Sequence, residues 1–400
     1  MKKIILIFLC FLFTFSFTAC APSFKEPSVY ESLPNSYNVE TDFPVTFFAS
    51  MKNAIVPAED GYYIYDGQFV SYFDRESSVV APLCNRPECA HSDESCSAYF
   101  PATSRWLFMQ YYEGALYLEA GESDADGYTA STLYRVNPQE CTREKICQLP
   151  YDWTVHHSYM MHRGYLYMTA VDSVDCIYTF SRVALNELAE KSLTPEVIYQ
   201  EDSVAYAPPH ILGNYIYLRN AVVDKENPGY VNVEWKKVNL KSLEVSELAM
   251  PGMSKDSYMN YENSYHDRVI ATYVDETAYL RDDYSTVYYS YDPETETYEP
   301  FVTLKDRKEG VYDLYAYDGT NHLTFYYAGN TLNPVENQEF RVLNENFETE
   351  KSITVDGNIN SFIAGDEYFS FYDVFEENSG FHLYAIDKRG EELKIVKVFE

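Results

Sequence analysis

A turn residue followed by a short aromatic strand recurs seven times along this chain. The clear copies are GYYIY (61–65), GALYL (114–118), GYLYM (164–168) and GNYIY (213–217). Weaker copies are DRVIA (267–271), NHLTF (321–325) and DEYFS (366–370). Their first residues, from Gly61 to Asp366, are separated by 53, 50, 49, 54, 54 and 45 residues. A second pattern follows the later copies: a strand, a turn containing Asp or Asn, and another strand, as in TLYRVNPQECTREKICQL (132–149), EWKKVNLKSLEVSEL (234–248) and HLYAIDKRGEELKIVKV (382–398). These segments read as hairpins. Units of this length with several strands each predict an all-β chain folded as a β-propeller, because one small sheet cannot bury both faces alone and a ring of stacked blades can. Seven repeats predict seven blades, and six or eight would also fit the degenerate spacing. The last repeat reads as one strand short, which PVTFFAS (44–50) would complete by pairing the two ends.

Composition agrees. Tyrosine occurs 40 times and Trp only 3 times in 400 residues. Tyr suits pleated, half-buried surfaces and keeps a polar tip for water. The expected organisation is a leader over 1–19, a flexible tether over 20–42 rich in Pro, Ser and Glu, and one propeller domain over 43–400.

The leader sets the compartment. Lys2 and Lys3 precede an apolar run, which is the pattern of a secretory signal and too short for a stable membrane span. Phe17-Thr18-Ala19-Cys20 resembles the lipobox of bacterial lipoproteins, with Phe17 where Leu is usual. That resemblance implies that Cys20 carries a diacylglycerol after cleavage and that the protein sits on the outer face of the cytoplasmic membrane. Without the two signal lysines, 28 basic residues face 62 acidic ones, a net −34. Such a surface repels nucleic acid and anionic lipid headgroups, so no nucleic-acid partner is expected.

The densest chemistry is CNRPECAHSDESC (84–96). Cys84, Cys89, His91 and Cys96 make a Cys₃His set, which suits one structural zinc with all four tetrahedral positions filled. An exported protein equally invites disulfides, and free thiols are the third reading. Cys141 and Cys147 flank TREKI in an expected hairpin and are candidates to bond across it. A nucleophilic thiol in the loop is disfavoured by Glu88, Asp93 and Glu94, since thiolates form in positive surroundings.

Together, the lipobox, the repeats and the segment PLCNRPECAHSDESCSAYF (82–100) resemble the secreted propeller lipoproteins of low-GC Gram-positive gut bacteria, in which a Cys/His insertion follows the first strands. The family has largely no assigned activity, so the resemblance implies architecture and location alone.

Weaker signals complete the reading. ESDADGYT (122–129) is similar to the start of a Ca²⁺ loop but lacks the later ligands, and a solvated turn is the simpler reading. His156, His157 and His162 cluster, yet alternation along a strand sends the first two to opposite faces. No GxSxG, HExxH or P-loop occurs. The expected function is a lipid-anchored, non-enzymatic module binding a protein or a glycan, for which the Tyr-rich stretches 260–267 and 280–292 offer stacking groups. The alternative is a glycan-active enzyme with a carboxylate pair in the central funnel.

Overall fold

Each repeat folds into one antiparallel sheet in the computed structural model. It describes residues 24–38, 40–42, 47–49, 53–101, 108–123, 129–150, 155–172, 174–188, 193–202, 210–223, 231–248, 257–265, 268–275, 286–304, 312–318, 320–327, 338–357, 359–363, 365–376 and 380–398. Blade 1 is β1 (Phe47–Ala49), β2 (Asn53–Ala58), β3 (Gly61–Tyr65), β4 (Val70–Asp74) and β5 (Val80–Pro82). Blade 2 is β6 (Met109–Tyr112), β7 (Ala115–Ser123), β8 (Thr129–Asn137) and β9 (Thr142–Gln148). Blade 3 is β10 (Val155–His162), β11 (Tyr165–Asp172), β12 (Ile177–Ala184) and β13 (Glu196–Asp202). Blade 4 is β14 (His210–Leu212), β15 (Tyr215–Val223), β16 (Val231–Asn239) and β17 (Val245–Leu248). Blade 5 is β18 (Ser257–Tyr265), β19 (Arg268–Asp275), β20 (Thr286–Asp292) and β21 (Thr297–Leu304). Blade 6 is β22 (Tyr312–Tyr317), β23 (His322–Tyr327), β24 (Gln338–Leu343) and β25 (Thr349–Val355). Blade 7 is β26 (Ile359–Ile363), β27 (Phe369–Glu376), β28 (Gly380–Asp387) and β29 (Lys394–Lys397).

Strands pair in sequence order within every sheet, and seven such sheets among the described residues make a seven-bladed β-propeller. The recurring aromatic segment is the second strand of blades 2 to 7 and the third, β3, of the five-stranded blade 1. It is covered by neighbouring blades on both faces, so β3 is buried at all five positions while the outermost β9 is mostly exposed. The Asp or Asn of the second pattern opens the turn between the last two strands of a blade. Asp74, Asn137, Asn239, Asp292, Asn344 and Asp387 each accept backbone N–H bonds from residues just ahead of them, which is why short polar side chains stand there. Blade 3 uses a 3₁₀ turn, Leu185–Glu187, in that place.

The core lies between blades. One apolar cluster joins Tyr63 and Tyr65 of blade 1 to Leu116 and Leu118 of blade 2, and others join blades 2 to 3, 3 to 4, 4 to 5 and 6 to 7. The ring closes differently from the expectation. Blade 7 has four strands of its own, and Phe47–Ala49 pairs with β2 instead of the last sheet. A short connection makes β1 and β2 a local hairpin, which is cheaper to close than a pairing between distant segments. Blades 7 and 1 meet through side chains: Tyr62 and Phe73 pack edge-on against Phe369, and the Tyr62 hydroxyl donates to Asp366 at 2.6 Å.

The expected flexible tether is also corrected. Residues 24–38 and 40–42 dock as a strap along the end of the propeller that carries the strand 1–2 and 3–4 turns. Phe24 packs on Tyr117, Lys25 pairs with Glu113 at 2.7 Å, and the Tyr30 hydroxyl donates to Glu113 at 2.5 Å. Asn186 donates to Glu26, and Lys241 donates to the Leu33 carbonyl at 2.6 Å. The strap thus crosses blades 2, 3 and 4. Composition made it look unstructured because it has few apolar residues; polar contacts to the blades hold it instead.

Candidate metal centre

The loop 83–101 leaves the outer strand of blade 1 and returns along the β3–β4 turn. Val70 N–H donates to the Ala98 carbonyl and Phe100 N–H to the Gln68 carbonyl, which ties the loop's far end to blade 1. Arg143 of β9 donates to the Tyr99 and Glu94 carbonyls, and Asn85 donates to the Glu140 carbonyl. The loop therefore bridges blades 1 and 2. Within it, tight turns bring the donors together: Cys89 N–H bonds the Arg86 carbonyl, Cys96 N–H bonds the Asp93 carbonyl, and His91 takes a left-handed φ of 51°.

The ligand atoms of Cys84, Cys89, His91 and Cys96 all lie within 4.8 Å of one another, with His91 Nδ1 3.3 Å from Cys96 Sγ. A tetrahedral ion with S and N ligands at 2.0–2.3 Å spaces its donors by about 3.3–3.8 Å. The cluster is thus of the right size and donor type to hold a metal ion, and the six described cysteines are unbonded. Arg86 reaches Cys89 Sγ at 3.4 Å and also donates to the Ser95 carbonyl, giving the sulfurs a cationic neighbour. Burial pushes the Cys84 thiol up, but hydrogen bonds from Ser97 and Arg86 outweigh it and hold the group down at about 5. Burial, with Cys89 and Cys84 alongside, raises Cys96 to about 11. With four protein donors the set is closed, and a closed set leaves no position for a substrate.

The expected Cys141–Cys147 bond does not form. Cys141 sits in the β8–β9 turn and Cys147 is buried in β9 opposite Leu133. The strand β9 runs from just after Cys141 through Cys147, so six residues of largely extended chain set them roughly 20 Å apart at 3.3 Å per residue, whereas a disulfide needs Cα atoms within about 7 Å. Cys141 packs instead against the core at the junction of blades 1 and 2, within electrostatic reach of Cys84. The acidic turn at residues 124–128, and Cys20 with the whole leader, lie outside the described residues.

A second polar constellation was not read from the sequence. Arg163, in the β10–β11 turn, is 4% exposed and uses all five donors: Asp42 twice at 2.6–2.7 Å, Asn214 Oδ1 at 2.7 Å, and the Pro34 and Ser36 carbonyls. Asp42 is itself buried. Two glycines of the repeat let the strap approach: a Cβ at Gly164 would lie 2.9 Å from Pro27 Cα, and one at Gly213 only 1.9 Å from the Asn35 carbonyl oxygen. The only sequence signal was Arg163 standing beside the recurrent turn glycine.

His162 belongs to this constellation and not to a metal set. It is buried and donates from Nε2 to the Gly213 carbonyl at 2.6 Å. Burial pulls it down to about 4; Asp42 on the strap opposes that and Arg163 reinforces it. The folded form therefore binds a proton less readily than the unfolded chain, whose His titrates near 6.5. Stability is full above pH 6.5 and falls as pH drops from there through about 4, by about 3 kcal/mol for this one group. Urea titrations of His162→Gln should show a shallower loss than wild type across that window, and identical profiles would remove His162 from the account.

No protein-family model matches the sequence, and no curated protein matches it. Among solved structures, the chain is similar to the β-propeller domain of the Trilobed protease from Pyrococcus furiosus, at 12% identity over 74% of this chain and 84% of that one, with a TM-score of 0.47. It is also similar to an oligogalacturonate lyase solved with manganese, at 12% identity, 92% and 90% coverage and a TM-score of 0.49. A post-proline cleaving enzyme from Rickettsia typhi gives 12% identity and a TM-score of 0.45, and the chain spans about half of that enzyme, 49% of its length. Likenesses this distant carry no argument about activity. The propeller architecture stands on the seven sheets themselves.

Proposed function

We propose that this protein is a lipid-anchored propeller on the outer face of the cytoplasmic membrane, of the secreted-lipoprotein kind its sequence resembles, and that it acts as a non-enzymatic module binding a protein or a glycan. The observation that carries the reading is the strap. Its contacts lie at the strand 1–2 and 3–4 turns of blades 2 to 4, so the N-terminal segment and the strand 2–3 connections of these blades belong to opposite ends of the sheets. Binding residues fall disproportionately on loops that a rigid scaffold positions, as these connections are. The test is a glycan array with the soluble domain, paired with crosslinked pulldown of the acylated protein from native envelopes. Specific retention of a partner without its turnover is the expected result. Cleavage of a retained glycan by the purified protein would overturn the non-enzymatic reading.

The Cys₃His loop is proposed to hold one structural Zn²⁺ that staples blade 1 to blade 2. The donor set and spacing support it, since three thiolates and an imidazole suit zinc. Protein purified without chelator should carry about one equivalent of zinc. Cys84, Cys89 and Cys96 should resist thiol reagents until chelator is added. Complete labelling of all three in metal-free, folded protein would sink the assignment.

A further inference from the structure

We propose that the strap fixes which end of the propeller faces the membrane: the strand 1–2 and 3–4 turns of blades 2 to 4 lie against the bilayer, and the other end points outward. The inference rests on Cys20 being the lipidated residue. Its own support is the docking of the strap and the length of chain left over.

Only residues 21–23 separate Cys20 from Phe24. Four Cα–Cα steps reach at most about 14 Å. From Phe24 onward the chain is held: Phe24 on Tyr117, Lys25 on Glu113, Glu26 to Asn186, and Pro27 against Gly164. These contacts all sit at the turn ends of blades 2 and 3. A free tether running to residue 42 would instead have an end-to-end distance of roughly 25 Å and would allow any orientation. The docked strap removes that freedom, so an acyl chain on Cys20 draws the strapped end down to the headgroups. The mature net charge of −34 makes the bilayer a partner through the acyl chains and not through anionic lipid.

The experiment compares the two ends of blade 3. Glu187, exposed beside the strap, and Val174, 73% exposed at the β11–β12 turn, are replaced one at a time by a fluorescent amino acid in the full, acylated chain. The protein is reconstituted in phosphatidylcholine vesicles carrying a headgroup-labelled acceptor lipid. The ends of β11, eight residues long, are roughly 25 Å apart, so transfer from position 187 should exceed that from 174 by about two-fold or more. Inserting ten Gly/Ser residues between Pro22 and Ser23, which leaves the strap untouched, should abolish most of the difference. Mass spectrometry of the N-terminal peptide separates the two ways to fail. Absence of acyl groups on Cys20 overturns the anchor and the orientation together. Acylated protein with equal transfer from both positions, or with a difference that survives the insertion, overturns the orientation alone.

Discussion

Phe369→Ala should destabilise the propeller by about 3–5 kcal/mol, the usual range for emptying a buried aromatic site. Phe369 is fully buried at the seam where the ring closes. Its ring lies 5.2 Å from Phe73 and 5.8 Å from Tyr62, both edge-on, and Arg389 stacks over it at 4.7 Å. Among the described residues no strand pairs blade 7 with blade 1, so side-chain packing carries this junction. Urea denaturation with an unchanged slope is the measurement, with the exposed Val174→Ala as a control expected within about 0.5 kcal/mol of wild type. A loss under about 1 kcal/mol at Phe369 would mean that the seam is held by something other than this packing.

Arg163→Ala should cost a similar amount, about 3–5 kcal/mol, for a different reason. It leaves the Asp42 carboxylate buried with its bidentate partner gone, and also strips the Pro34 and Ser36 carbonyls and Asn214 of a donor. The strap should then become sensitive to limited proteolysis between residues 24 and 42 while the blades stay intact. The paired replacement Asp42→Leu with Arg163→Met should recover most of the loss, since a buried ion pair is expensive to break and much less expensive to replace by apolar groups. A double variant as unstable as Arg163→Ala would show that the hydrogen bonds to the strap carbonyls, and not the charge pair, set the cost.

The seven-fold pattern was legible because it is local. GYLYM at 164–168 and its sisters show a turn residue and an aromatic strand within five positions, and the Asp/Asn turns satisfy their own backbone within three. Both signals survive degenerate repetition, so seven units and the aromatic strand in each could be read directly, although six or eight blades also fitted the spacing. The donor types of the Cys/His loop were legible for the same reason, since Cys84 to Cys96 fall in one short stretch. Whether they converge was not legible, because that depends on the turns at Cys89, His91 and Cys96 and on the loop's anchorage to Arg143 in the next blade.

Errors came where distance in sequence mattered. Cys141 and Cys147 looked like partners because they are near in the chain, yet an extended strand separates near residues and the turn carries Cys141 towards Cys84 of the preceding blade. The 44–50 segment looked like a closing strand because the last repeat seemed short, whereas Lys394–Lys397 completes blade 7. The strap looked unstructured because its order comes from Arg163, 121 residues from Asp42, and from Asn214, 179 residues from Asn35. The sequence by itself determined an all-β chain of seven repeated units and the donor set of one metal-type loop, because hydrophobic period and turn chemistry are written over a few residues. Only the tertiary structure decided how the ring closes, which thiols meet, and that the strap lies down on blades 2 to 4, because these depend on buried charge and close backbone approach between segments that no local pattern connects.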